Sequence, residues 1–599
     1  MSSVESTPSD LEDQATKDET PQTTSKPFEP PRKKRPNSSF LITFAGLNLC
    51  VFISTVNTIN LASALPAIAT DLSATTSQAF WTSIVLLFVQ CVAQPIYGTL
   101  AEILGRKPCM VAALAIFALA SLFAALAPNI ECLIAARALQ GAGTGGINVC
   151  VNVLIVDLVP QRQRAKMSGL VSLAGAVGLV AGVLTGSALS LKSWRLIFYV
   201  NLPLSVVPIV LFVFFLDDKR QTATEKGGAG WGWTLQQLKG MDWTGIVIFS
   251  ASISAILFAI VTAGGNGNGD DAAGWSSPQI LAPLILGIVS LGCFIAFEEM
   301  VAGKIRGFGQ AFIPMRLFSR RTAAFGFLVT FLHAMILWAI PYYYLLYLNI
   351  SASKSLLQAS VLVLPSTFVI PIAAATAGIL MSRLSHFKYF NAVAFALMVA
   401  GCGCLSTLGA DPSLGPIIGF QFLFSIGGGI LFPGRLVAVQ AAQRELPGGK
   451  RGEEDRSDVR MATSLVSFMT SLGQAFGIAM GSTSLQSAWD ALVNDAAHAG
   501  LLAGPDGEVF LVPGQQAAKS ADVVALLPPL VAAQYRDIAA RSIARVWYVC
   551  TGLAVLGFVV AAASRNLSLQ SKHEEHAVAD RGEEPELVRE EASFRVAKR

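Results

Sequence analysis

Apolar runs of about 20 residues recur along the chain, near 40–63, 80–100, 109–127, 131–156, 167–190, 196–216, 243–263, 278–298, 323–347, 357–381, 388–408, 413–440, 461–484 and 542–564. A helix of that length covers the roughly 30 Å hydrocarbon core of a bilayer. The pattern therefore predicts fourteen membrane-spanning helices in an all-α polytopic membrane protein. Residues 1–39 are polar and almost free of aliphatics, and 565–599 are densely charged, so both read as solvated tails. The stretch 485–541 reads as a long loop, large enough to form a small cap or a short amphipathic helix around 524–540, and 441–460 as a flexible charged link.

An even number of spans puts both termini on one side. Loop charge tests this independently. The loops on the side of the tails hold Arg106 and Lys107, Arg162, Arg164 and Lys166, Lys219 and Arg220, Arg320 and Arg321, Arg383 and Lys388, and Lys450 and Arg451. The opposite loops hold Asp71, Glu131, Asp270, Asp271 and Asp411 and few cations. Cytoplasmic loops carry the excess of Lys and Arg, so both termini are expected in the cytoplasm. Arg32-Lys33-Lys34-Arg35, just before the first span, fits that orientation better than a nuclear-import signal.

Composition narrows the function. Of 599 residues, 53% are hydrophobic and 14% charged, far from a soluble domain. The net charge of +4 comes from short loops and not from a basic face, which excludes nucleic acid as a partner. The nine cysteines lie mostly in apolar spans without CxxC or Cys/His spacing, and His573-Glu574-Glu575-His576 lacks the spacing of a zinc helix, so no metal is expected. No nucleophile and base pairing stands out, so the chain does not read as an enzyme. Its expected partners are the lipid bilayer and a small molecule, and it is expected to act as a monomer.

The second and third runs are joined by Gly98-Thr-Leu-Ala-Glu102-Ile-Leu-Gly105-Arg106-Lys107. Gly98 and Gly105 permit a sharp reversal, and the two cations cannot sit in hydrocarbon. Inside the fourth run stands Arg137, followed by Gln140 and Gly141. A buried arginine costs roughly 3 kcal/mol on insertion scales, so it must face a partner or a wet cavity. The G-x-G-x-x-G spacing of Gly141–Gly146 lies within a span and so is no dinucleotide fingerprint. The fifth run carries Gly169, Gly175, Gly178, Gly182 and Gly186 on one helical face. His333, Trp338, Pro341, Tyr342 and Tyr343 mark the ninth. A lone histidine is more often a hydrogen-bonded core residue, and tyrosines there often form the interfacial belt.

The loop 98–107 closely resembles the signature loop between helices 2 and 3 of the major facilitator superfamily. Arg137-x-x-Gln140-Gly141 is similar to that family's helix 4 pattern, and the fifth run partly matches its antiporter motif, with Val183 where proline is expected and Ser187 for the last glycine. Ala64-Leu65-Pro66 and the run Trp194-Arg195, Phe198, Asn201, Pro203 resemble the fourteen-helix drug:proton antiporter branch, of the fungal multidrug and secondary-metabolite type. The resemblance implies two six-helix bundles, 40–216 and 323–564, with 217–322 adding two helices. It implies secondary active export of small lipophilic compounds by proton antiport through a rocker-switch cycle, at the plasma or vacuolar membrane, with a proton gradient in place of any cofactor. Asn57, Arg137, Gln140, His333, Trp338, Tyr342 and Tyr343 would line the central cavity. Glu102 would face a helix amino end in the other bundle, and Asp157 would pair with Arg106 as a gate. Asn57 stands where the branch usually carries an aspartate, and asparagine cannot titrate. Uptake of amino acids or siderophores on the same fold, or a non-transporting sensor, remain open on these residues. The stretch Gly378–Lys388 is a degenerate echo of the signature loop, as an internal repeat would leave.

Overall fold

The structure is a computed structural model. It describes residues 38–565 apart from 73–75, 160, 191, 217–241, 264–276, 302–312, 314, 385–386, 444–452, 504–507 and 514–519. Fifteen α-helices follow one another: α1 Ser38–Asp71, α2 Thr76–Ile103, α3 Arg106–Ala125, α4 Ile130–Leu158, α5 Gln161–Ser190, α6 Arg195–Phe215, α7 Trp243–Ala263, α8 Pro278–Val301, α9 Arg321–Ile350, α10 Leu356–Leu384, α11 Lys388–Leu405, α12 Leu414–Gln443, α13 Glu453–His498, the short α14 Ser520–Leu526, and α15 Pro529–Ala563. Local chemistry sets the ends. Gly105 has φ 96°, a conformation that L side chains rarely adopt, which lets α3 start immediately after α2. The Asn129 side chain caps α4 by accepting from Cys132 N at 2.9 Å. Gly500, at φ 72°, closes α13 with Leu501 N donating back to Ala496 O.

Thirteen of these helices are long and apolar enough to cross a membrane among the described residues. The thirteenth expected span, 461–484, differs. It is the middle of α13, 46 residues long, and it falls short on hydropathy because Thr463, Ser464, Ser467 and Ser471 are buried against other helices and do not face lipid. In the stretch 485–541, expected as a loop with room for a cap or a short helix, α13 runs on to His498 and α15 begins at Pro529, so both helices project beyond their spans. Between them Trp489 stacks on Tyr535 at 5.9 Å and donates to Val512 O, while Tyr535 OH donates to Phe510 O, forming a small cap with its own core. The terminal tails, the middle of the 441–460 link and most of the segment before α7 lie outside the described residues, while α12 and α13 take up the two ends of that link.

Helices α1–α6 pack among themselves, as do α9–α13 and α15, and the two groups repeat each other. The glycines of α5 rest on the backbone of α1, where a Cβ at Gly178 would stand 2.8 Å from Phe52 O and one at Gly182 3.0 Å from Val56 O. In α13, Gly473 and Gly477 rest in the same way on Phe331 O and Met335 O of α9. Gly143 and Gly145 of α4 press on α3 (Ala113, Phe117) and α2 (Gln90, Ala93). Gly427 and Gly429 of α12 press on α11 (Ala394, Met398) and α10 (Ile370, Ala373). Two inward faces built from the same parts are what an internal repeat leaves. α7 and α8 pair through Ser252 Oγ donating to Ser290 Oγ at 2.8 Å and dock on the other helices through Phe249 on Phe468 and Trp81 on Phe258.

Candidate functional site: a polar core and an inter-half seam

One face of α4 is polar along its length: Arg137, Gln140, Thr144, Asn148 and Asn152 recur every three or four residues. Arg137 is fully buried. Its Nε donates to Thr82 O of α2 at 3.1 Å, and its Nη1 donates to Asn57 Oδ1 of α1 at 3.1 Å and to Gln140 Oε1 at 2.9 Å. Gln140 Nε2 donates onward to Ser121 Oγ at 2.7 Å, and Asn201 Nδ2 of α6 donates to Asn57 Oδ1 at 3.1 Å. The guanidinium also lies 5.9 Å from the Phe198 ring centroid. Neutral dipoles and a ring surround this cation, and no carboxylate pairs with it among the described residues. Asn57 Nδ2 and Asn201 Oδ1 are buried without partners. Lower on the stripe, Ser54 Oγ donates to Asn148 Oδ1 at 3.0 Å.

The 98–107 end joins the two helix groups. A Cβ at Gly98 would meet Ser464 Oγ of α13 at 2.9 Å. Asn152 Nδ2 donates to Ser467 Oγ at 2.8 Å, and Gln90 Nε2 and Gln94 Nε2 both donate to Ser471 Oγ, at 2.8 and 2.7 Å. Ser464, Ser467 and Ser471 form one stripe of α13 that meets α2 and α4. Nearby, a Cβ at Gly169 of α5 would stand 2.9 Å from Ala375 Cα of α10. The seam is thus neutral hydrogen bonds, close backbone contact and an apolar cluster that joins Cys91 and Ile96 of α2 to Leu465 and Val466 of α13. Arg106 Nε lies 2.7 Å from Asp157 Oδ2, and Lys107 Nζ donates to Val213 O at 2.9 Å, so the loop is pinned to α4 and α6. The Glu102 side chain lies outside the described residues. At the other end, Trp194 Nε1 and Arg195 Nη1 both donate to Asp71 Oδ2, which holds the Asp71 carboxyl below the usual aspartate range.

In the second group, His333 is fully buried, with Nε2 3.0 Å from Gly428 O and its ring edge-on to Phe432. It does not meet the Asn57–Arg137 cluster, so the expected cavity set divides between the two groups. Trp338 and Tyr342 are half-buried. The Tyr343 hydroxyl donates to Ile478 O at 2.7 Å and its ring fills the space beside Gly481, so it packs α9 on α13. Gly178, Gly182 and Gly186 lie at the α1–α5 contact, with Gly186 against Asn60 O.

A family model described as the Major Facilitator Superfamily matches residues 47–478. The chain belongs to the major facilitator superfamily. It is similar to the MFS-type efflux transporter pyiT of Pyricularia grisea, at 30% identity over 92% of this chain and 88% of that one. It also resembles the efflux pump FUS6 of Gibberella fujikuroi (28%, covering 90% and 92%) and the acurin A biosynthesis cluster MFS-type transporter of Aspergillus aculeatus (28%, covering 89% of each). Among solved structures, the proton:xylose symporter XylE shares the fold, with a TM-score of 0.54 at 12% identity over 90% of this chain and 99% of that one. This superfamily member is therefore a multi-pass transporter and no enzyme.

Within this facilitator, the repeat explains residues that sequence reading passed over. The glycine matches place Gln421 of α12 opposite Arg137, and Gln421 Nε2 donates to Leu362 O of α10 at 3.0 Å as Arg137 Nε does to Thr82 O of α2. Gln90, Gln94 and the α13 serines were visible as polar residues at helical spacing inside apolar spans. What could not be seen was that they face each other.

Proposed function

We propose that this facilitator exports small lipophilic compounds by proton antiport, with α1–α6 and α9–α13 plus α15 rocking about the buried core, in the plasma membrane, as a monomer with both termini cytoplasmic. The observation that carries the reading is the seam at the 98–107 end. Its polar part is a few neutral hydrogen bonds from Gln90, Gln94 and Asn152 to the α13 serines, each contributing about 0.5–1.5 kcal/mol and none an ion pair, beside an apolar contact, so it can part within one transport cycle. The relatives named as efflux transporters support the direction. The test is efflux of a neutral lipophilic dye, Nile red, from cells with and without the protein. Equal retention would remove the export reading.

Arg106–Asp157 acts as a latch on that end. Its side chains are 17% and 29% exposed, so the pair contributes about 1 kcal/mol at most, or roughly a fivefold shift in a conformational equilibrium. Asp157→Asn should raise labelling of a Ser464→Cys reporter by a membrane-impermeant maleimide about two- to fivefold, in a background lacking the native cysteines, while efflux falls modestly. Unchanged labelling would show that the pair does not hold the gate.

With Asn57 unable to titrate, the proton reading assigns the carrier role to His333, a titratable side chain whose Nδ1 is buried without a partner. Collapsing the pH gradient across sealed vesicles should stop export, and His333→Gln should give export that no longer responds to the gradient. Export that survives collapse unchanged in the unaltered protein would rule out proton coupling.

A further inference from the structure

The second helix group holds a buried arginine that neither the repeat nor the signature motifs account for. Arg435 of α12 is 6% exposed and has no carboxylate partner among the described residues. Its position in the repeat does not match Arg137, whose counterpart is the neutral Gln421. The two arginines also differ in how they are satisfied. Arg137 uses Nε and Nη1 on at least three acceptors. Arg435 uses Nη1 alone, donating to Thr470 Oγ1 of α13 at 3.0 Å and distantly to Thr330 O of α9 at 3.4 Å. Among the described residues its Nε and Nη2 make no hydrogen bond, which leaves that edge of the guanidinium without a protein acceptor.

The surroundings match that edge to one kind of ligand. The guanidinium carbon sits 5.2 Å from the Phe432 ring centroid, and His333 packs on the same ring at 5.2 Å. His333 Nδ1 is a second buried polar atom without a partner. Half-buried Phe331 and Phe476, edge-to-face at 5.3 Å, stand on α9 and α13, the helices that supply Thr330 and Thr470. Thr470 adjoins Ser471, where Gln90 and Gln94 cross from the other group, so the arginine lies beside the seam. The Nε/Nη2 edge of a guanidinium offers two parallel donors at the spacing of carboxylate oxygens. A cation left without an anion inside a bilayer is costly, and a bound anion removes that cost. Phe432 beside the guanidinium, with the His333 imidazole on the same ring, suits a flat body. We propose that Arg435 anchors the carboxylate of an aromatic acid, making lipophilic organic monoanions the preferred cargo. This rests on the export reading above and narrows its substrate class.

The test uses the full-length protein reconstituted in liposomes, with two probes of equal shape, 1-naphthoate and the uncharged 1-naphthamide, and reads the ratio of their transport efficiencies. The unaltered protein should favour the acid at least about tenfold, the discrimination a buried charge-assisted pair supplies. Arg435→Gln should lower that ratio by about the same factor through KM, and Arg435→Lys should keep part of it. Independently, 1-naphthoate should raise the thermal stability of the unaltered protein and not that of Arg435→Gln. A ratio near one in the unaltered protein overturns the proposal, as does a ratio that Arg435→Gln leaves in place or an equal loss of both probes in the Gln and Lys variants. Nile red efflux that persists while acid preference is absent would overturn the cargo class and leave the export reading standing.

Discussion

Replacing Arg137 by alanine is expected to abolish export, to below about a hundredth of the normal rate, while the protein still reaches the membrane. The substitution removes a donor from three acceptors. Gln140 Oε1, inside a core closed to water, is left without one, and an unsatisfied buried acceptor costs about 1–3 kcal/mol, while Asn57 Oδ1 keeps only Asn201 Nδ2 and Thr82 O loses its link to α4. These acceptors belong to α1, α2 and α4, so the arginine ties three helices at the level where the halves must rock as units. Loss of the tie releases Asn57 and, through its Oδ1, Asn201 of α6. Arg137→Lys should not rescue, because an ammonium cannot reach Thr82 O and Asn57 Oδ1 from one planar fork. The measurement is Nile red efflux normalised to membrane-resident protein. Normal efflux in Arg137→Ala would show that the cluster only packs α4, and loss of the protein from the membrane would show a folding role instead.

That cluster also marks how far the sequence alone reaches. The spans were legible because the bilayer fixes their length, and Arg137, Gln140 and Asp157 because charged or polar groups inside or beside apolar runs are rare enough to signal a partner. Arg106 and Asp157 lie together as the signature loop implied, and the structure adds the 2.7 Å separation. Partners far apart in the chain were not legible. Asn201 was visible in the stretch entering α6 but not as the neighbour of Asn57. Tyr343 stood out beside aromatic neighbours, but the direction of its side chain, toward Gly481 and Ile478 O, is set by α13 and was not legible. α13 itself misread most. Its polar residues are satisfied by other helices, so hydropathy understates a helix enclosed by protein, and its reach to His498 follows from a cap whose core includes Trp489 and Tyr535. Its glycine row went unnoticed for the same reason: small residues carry a message only when the helix they touch is known.

Gly477→Ala in that row should be among the most damaging single methyls added to the protein. The Cβ would fall on the Met335 carbonyl oxygen, closer than any real contact, whereas the corresponding atom at Gly182 would stand 3.0 Å from Val56 O, where a small shift suffices. The Cβ is fixed by the backbone of α13 and the oxygen belongs to the backbone of α9, so neither can rotate aside, and the two helices must separate. Overpacking of this kind costs about 1–3 kcal/mol, and the separation pulls Thr330 and Thr470 apart at Arg435, so function should fail along with stability. Gly552→Ala in α15 is the control, since nothing lies within 4 Å of its Cβ. Tagged protein heated in detergent and resolved by size exclusion should lose its folded peak several degrees earlier in Gly477→Ala than in the unaltered protein, with Gly182→Ala between them and Gly552→Ala unchanged. If Gly477→Ala were as stable as Gly552→Ala, the close approach of α9 and α13 would not be what holds the second half together, and the symmetry between its glycine row and that of α5 would carry no mechanical meaning.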